Sequence, residues 1–365
     1  MRSISAAFFL ACSWFWCIGG FFPVLLEQEF GATALPFFIL FNVTGAALFG
    51  LVWTNAGRVR FLAKFRLPAE IFSVVVSGYH LVFMTWLSVL LQDPMPVIGF
   101  AACTALFVVL RSRLSGLAPA VLVITAALFA VAVLNAPTSD TPAQATAPFA
   151  HQILPLALGF LLAPCFDLTF HRAFADSPNP RLSFLLGFGV LFAALLGGMV
   201  LAGPVFAMLL SSNALSGSGL QAVVAILMLQ TAYTSAAHMR ELGGTRWANP
   251  GLALPAAGAA VIVALLHVAG GVIRPEFVLP GGELAYRSFV FVIGGLFPVV
   301  LLFGGINRPS LIAAAFITPC YTLGFLIGGD WAPFLSVAMA GLAVMVWLRR
   351  KPIPLRPYRA RRSGP

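Results

Sequence analysis

Asp167 is a carboxylate set in a long apolar run, Leu158-Gly159-Phe160-Leu161-Leu162-Ala163-Pro164-Cys165-Phe166-Asp167-Leu168-Thr169-Phe170-His171-Arg172. An ionised group in hydrocarbon costs several kcal/mol unless something answers its charge, so a residue of this kind marks a functional position by default. It can hold a cation, carry a proton or bind a substrate ammonium. His171 at i+4, or Arg172, offers the other reading, a local structural pair one turn from the end of the segment. The remaining acidic residues fall at segment ends or in loops.

Pro164, three residues before Asp167, removes a backbone donor and clashes with the carbonyl four residues earlier, so the helix breaks there. A second interruption lies in Ala11-Cys12-Ser13-Trp14-Phe15-Trp16-Cys17-Ile18-Gly19-Gly20-Phe21-Phe22-Pro23, where Gly19-Gly20 weakens the ladder ahead of Pro23. Free carbonyls and amides inside a bilayer are tolerated only where they line protein or a wet cavity. Pro and Gly that merely bend packed helices are the alternative; read as a site, the candidate substrate-binding residues are Trp16, Cys17, Gly19 and Gly20 in the first break, and Ala163, Cys165, Phe166 and Asp167 in the second. Trp14, Phe15, Trp16, Phe21 and Phe22 form either a packing face or the walls of an apolar pocket.

A third group lies in Gln230-Thr231-Ala232-Tyr233-Thr234-Ser235-Ala236-Ala237-His238. Thr234 and Ser235, with Thr231 one turn earlier, supply neutral oxygens suited to a hard monovalent cation. Hydrogen bonding back to helix carbonyls is the alternative for hydroxyls in this setting. Cys165, Asp167 and His171 lack a fourth ligand for a tetrahedral metal, and His80, His151 and His267 stand alone in sequence. No phosphate-binding glycine loop, dinucleotide motif or nucleophile elbow is present, so neither a pump nor a common membrane enzyme is expected, and no cofactor beyond a coupling ion.

Long apolar segments must position these groups. Of 365 residues, 60% are hydrophobic and 9% charged, against roughly 25% charged in a globular domain; mean hydropathy is +0.98. That excludes a soluble fold. Cys12, Cys17, Cys103, Cys165 and Cys320, an odd set within or beside apolar runs, read as free thiols. Bilayer-length segments of about 20 residues fall near 5–26, 33–54, 71–92, 95–110, 117–135, 152–172, 182–210, 219–239, 252–273, 286–304, 310–329 and 331–348. The fourth is short, and Gly328-Gly329-Asp330 alone separates the last two. The expected fold is an all-α integral membrane protein of about twelve helices.

Loops rich in Lys and Arg stay on the cytoplasmic side. With the amino terminus inside, Arg2, Arg58, Arg60, Lys64, Arg66, Arg111, Arg113, Arg172, Arg181, Arg240, Arg246, Arg308 and the seven basic residues of the tail all fall inside, which is nineteen of the 21. Only Arg274 and Arg287 fall outside, in a loop with Glu276 and Glu283. The net charge of +10 is thus mainly an orientation signal for an inner-membrane protein with both termini cytoplasmic. The Pro-rich basic tail, 349–365, is expected along anionic headgroups and not on nucleic acid.

The stretch 136–150, rich in Pro, Thr and Ala and charged only at Asp140, follows the fifth segment. A break after five spans starts the next five from the opposite face, giving an inverted repeat, 5–135 and 152–304, with an appendage at 310–348 in one domain, 1–348. The two interruptions then occupy corresponding first and sixth spans. In these features the chain resembles the amino acid/polyamine/organocation superfamily of secondary transporters, the LeuT-like fold. The resemblance implies discontinuous helices 1 and 6 around the substrate, with Cys17 to Gly20 and Ala163 to Phe166 contacting it, and sodium held by Thr234 and Ser235. The function so implied is sodium- or proton-coupled transport of a small organic, amino acid-like solute by alternating access. A membrane sensory or assembly module that keeps a transporter-like fold without transport is the alternative. An intramembrane enzyme using His171 and Asp167 is a third reading.

Overall fold

The computed structural model describes residues 2–15, 17–137, 149–211, 216–273 and 278–350. Trp16, most of the 136–150 connection, Arg274, Glu276 and nearly all of the tail lie outside them, as do the side chains of Cys17 and Glu283. Among the described residues all regular structure is helical. Apolar runs of this length satisfy their backbone groups internally and expose side chains to lipid.

Among the described residues nine helices are long and apolar enough to span a membrane, and up to eleven spans result if each of two bent pairs counts as one. The first pair is α1 (Ser3–Trp14) with α2 (Cys17–Phe30), bent by 50°. Then come α3 (Ala34–Val52), α4 (Asn55–Leu90), the short α5 (Met95–Val109) and α6 (Leu114–Leu134). The second pair is α7 (Ala150–Leu162) with α8 (Leu168–Asp176), bent by 58°. The chain continues through α9 (Pro180–Leu186), α10 (Ala193–Leu201), α11 (Gly203–Ser211), α12 (Ser218–Leu242) and α13 (Pro250–Ile273). It ends with α14 (Val278–Phe291), α15 (Phe297–Leu302), α16 (Arg308–Tyr321) and α17 (Pro333–Arg350).

The sequence boundaries need four corrections. The segment read as 182–210 is a span over Pro180–Leu201 followed by the separate α11. The third segment starts much earlier than residue 71, because α4 runs on through the basic stretch from Arg58 to Arg66. Its non-helical turn at Phe65 lies just before Pro68, whose ring crowds the carbonyl of Lys64. Arg287 is not in a loop, since it lies on α14. The first break falls at Phe15, where the backbone leaves the helical region, and not at Gly19-Gly20, which are helical in α2. The glycines make room instead: a Cβ on Gly19 would meet the Phe15 ring at 3.4 Å, and one on Gly20 would meet Leu227 at 3.1 Å.

α12 is the central helix, packed against α5, α6, α4 and α1. α4 packs on α13 and α14, α1 on α6 and α9, and α7 on α3 and the wide turn Val292–Leu296. α7 approaches two neighbours closely: a Cβ on Gly45 of α3 would lie 1.8 Å from the Phe160 carbonyl oxygen, and one on Gly159 would lie 3.0 Å from Gly294 Cα. At one end of the bundle Arg66 and Arg246 share Glu70, and Arg172 and Arg240 share Glu241. Glu70 is a second buried carboxylate, which the sequence placed at a segment end.

Candidate functional site

The two bent helices meet, α1 packing on α8. Pro164 opens a short tight turn, Ala163–Phe166, and the chain is extended at Asp167 before α8 begins. Asp167 is the N-cap of α8, its Oδ1 accepting from the Thr169 N–H at 2.7 Å. A helix start exposes backbone donors and the positive end of its dipole, so a carboxylate there is favourable. Neither predicted local partner reaches Asp167. His171 bonds the Cys165 carbonyl at 2.9 Å and stacks on Phe61, and Arg172 pairs with Glu241 at 2.5 Å. Asp167 Oδ2 is buried without a hydrogen bond, 4.0 Å from His238 Nε2 on α12. His238 Nδ1 in turn lies 3.0 Å from Ser73 Oγ on α4.

The break in α1 leaves carbonyls without helical partners, and α12 answers them. Thr234 Oγ1 donates to the Cys12 carbonyl at 3.1 Å. The Gln230 amide lies between Thr125 Oγ1, at 2.7 Å, and the carbonyls of Cys12 and Phe15. With its nitrogen turned to those carbonyls it donates at 3.2 and 3.3 Å. Ser235 points to the other neighbour, bonding His80 Nδ1 on α4 at 2.7 Å. Thr231 Oγ1 is buried with no hydrogen-bond partner. The three hydroxyls predicted as one ion site therefore divide between two faces of α12, and only Thr234 bonds α1.

A cavity of about 30 Å³ lies beside the breaks, lined by Trp14, Gly19, Asn42, Gly159, Ala163 and Gly294 among others. That is room for one or two waters. Trp14 Nε1 donates to Asn42 Oδ1 at 2.6 Å, tying the end of α1 to α3. A second cavity of about 20 Å³ shares Pro155, Leu156, Val290 and Gly294 with the first and continues to Gln152, Tyr321 and Phe325. Arg287 bonds the Phe325 carbonyl at 2.8 Å and pairs with Glu29 at the end of α2.

Of the predicted substrate residues, Gly19 and Ala163 line the cavity. Gly20 packs on Leu227, Phe166 is buried among Phe61, Phe65 and Phe297, and Cys165 offers its carbonyl to His171. Asp167 faces α12 instead. Asn42, Gln230 and His238 are additional. Each is a polar side chain within an apolar stretch, and that contrast is the signal that marks them in the sequence. The Glu29–Arg287 pair spans 258 residues and has no local signal. No protein-family model matches the chain, and no curated protein matches it.

Proposed function

We propose that the protein is a secondary active transporter of a small organic solute, coupled to sodium or protons and working by alternating access. One observation carries the reading: two bent helices, interrupted near corresponding points of the first and sixth spans, pack against each other beside a small cavity. Discontinuous helices around a midplane cavity are how such transporters expose backbone groups to a solute.

The packing supports a five-plus-five repeat. When each of spans one to five is exchanged for its counterpart among spans six to ten, most of the larger contacts map onto one another, α4 with α5 being an exception that α12 and α13 do not repeat. α1 against α6 becomes α7 against Val292–Leu296, and α5 against α12 becomes α13 against α4. α1 against α9 becomes α7 against α3, and α6 against α12 becomes α14 against α4. α1 against α12 becomes α8 against α4, while α3 with α9 and α4 with α12 map onto themselves. α16 and α17 stand outside the exchange, as an appendage would.

The basic cluster around Glu70 and Glu241 takes the cytoplasmic end, consistent with where positive loops reside. The Glu29–Arg287 pair then closes the external side of the cavity, and rocking the two bent helices against α3, α4, α9 and α12 alternates access. The test is reconstitution of the full chain in liposomes, with uptake of radiolabelled amino acids driven by an imposed sodium or proton gradient. Uptake or counterflow above empty liposomes is expected. Absence of both, with Asp167→Asn indistinguishable from wild type, overturns the reading.

A further inference from the structure

Asp167 and His238 face each other across α8 and α12 in a way that neither packing nor capping requires. The carboxylate uses Oδ1 to cap α8 and leaves Oδ2 buried and unbonded. The imidazole uses Nδ1 toward Ser73 Oγ and turns Nε2 to that oxygen, 4.0 Å away. With the ring hydrogen on Nδ1, donated to Ser73, two lone pairs confront each other across the gap. A single proton on either atom turns that face-off into an attraction, an ion pair at this distance or a hydrogen bond once the two groups close on each other.

The other titratable and charged groups around Asp167 are committed elsewhere or distant. On its own helix His171 bonds Cys165, and Arg172 pairs with Glu241 and Asp176. On α12 Arg240 also pairs with Glu241, and on α4 His80 bonds Ser235 while Glu70 is held by Arg66 and Arg246. α1 contributes Cys12, whose thiol bonds the Ala118 carbonyl, and exposed Arg2; α9 contributes exposed Arg181.

We propose that the coupling ion is a proton and that Asp167 and His238 carry it, an inference that rests on the transporter reading above. The step is a simple transfer: one proton from water adds to Asp167 Oδ2 or His238 Nε2, passes between them, and leaves to water on the other side. No other bond is made or broken. Asp167 sits at the bend between Phe166 and Leu168, so its charge state acts where the helix pivots. As a carboxylate it accepts a charge-assisted bond from the Thr169 N–H and complements the helix dipole. Protonated, it keeps a weaker neutral bond and turns its O–H toward His238, which frees the angle of α8.

The experiment is an infrared titration of the purified full chain, with the proton itself as probe, alongside gradient-driven uptake and counterflow of radiolabelled amino acids in liposomes. Wild type is compared with Asp167→Asn and His238→Gln, each checked for monodispersity. Asn caps a helix start as well as Asp does, so Asp167→Asn removes the charge and keeps the cap. Eleven acidic side chains contribute to the protonated-carboxyl band that appears on acidification; one component of it is expected in wild type and His238→Gln and absent in Asp167→Asn. Uptake driven by a proton gradient is expected to fall about tenfold or more in Asp167→Asn, the loss that follows removal of an intramembrane proton carrier, while counterflow survives. If the Asp167→Asn spectrum equals that of wild type, with no component lost, or a sodium gradient alone drives uptake at unchanged rate, the proton assignment is overturned and the transporter reading stands. If wild type shows neither uptake nor counterflow, the transporter reading falls and the coupling assignment falls with it.

Discussion

Thr234 Oγ1 donates a hydrogen bond to the carbonyl of Cys12, in the last turn of α1 before the chain leaves the helix. The central helix thereby satisfies a backbone group that the break would otherwise strand in an apolar environment. Thr234→Val keeps the shape and removes the donor. It is expected to lower stability by about 0.5–2 kcal/mol, the range for interhelical hydrogen bonds and their buried partners, whereas Thr234→Ser retains most of it. Reversible unfolding in mixed micelles measures both.

The close approach of α3 and α7 gives a steric prediction with a built-in control. A Cβ at Gly45 would sit 1.8 Å from the Phe160 carbonyl oxygen, which is backbone and cannot swing aside. Gly45→Ala is expected to cost at least about 1–3 kcal/mol through overpacking. At Gly116, in α6, a Cβ meets nothing within 4 Å. Gly116→Ala is expected to be neutral or to stabilise by up to about 1 kcal/mol, from helix propensity alone. Melting temperatures that fall equally for both variants would refute the packing argument.

Glu29 and Arg287 form an ion pair between the end of α2 and the body of α14, over the side of the bundle where Phe325 lines the second cavity. Glu29→Gln or Arg287→Gln alone leaves a charge without that partner. Each is expected to destabilise by about 1–3 kcal/mol, and the exchange Glu29→Arg with Arg287→Glu to recover part of the loss. A double-mutant cycle on unfolding free energy reads the coupling. Additive single effects would mean that the pair is incidental.

The helical fold was legible because hydrophobic length is a strong signal in a bilayer, where each run must close its own backbone hydrogen bonds. The interruption at Pro164 was legible for the same reason in reverse, since its ring forbids the ordinary turn. The glycines misled: Gly19 and Gly20 suggest unwinding, yet they are small so that the Phe15 ring and Leu227 can lie against α2. Partnerships were hidden because they run between distant spans. Local spacing offers His171 and Arg172 to Asp167, but helix rotation turns the carboxylate to His238, and both local candidates find other bonds. Likewise the neighbours Thr234 and Ser235 are one step apart in sequence, and that step of about 100° sends one to α1 and the other to α4.

The cavity itself is tested at Asn42, whose amide lines it while its Oδ1 accepts from Trp14 Nε1. Two substitutions break that bond differently. Trp14→Phe removes the donor and keeps the amide beside the cavity, and Asn42→Ala removes the amide and keeps the indole. Both are expected to cost about 1–2 kcal/mol of stability, since each removes one side of the buried Trp14–Asn42 hydrogen bond. Their transport kinetics should part: Asn42→Ala raises KM for the transported solute about tenfold, the weight of one lost hydrogen bond to a bound ligand, and Trp14→Phe leaves KM within about twofold. Equal KM values in variants of equal stability would place the solute elsewhere. A rise in KM confined to Asn42→Ala would put the amide in contact with it, because both variants lose the Trp14–Asn42 bond at the cavity wall and Asn42→Ala alone loses the amide.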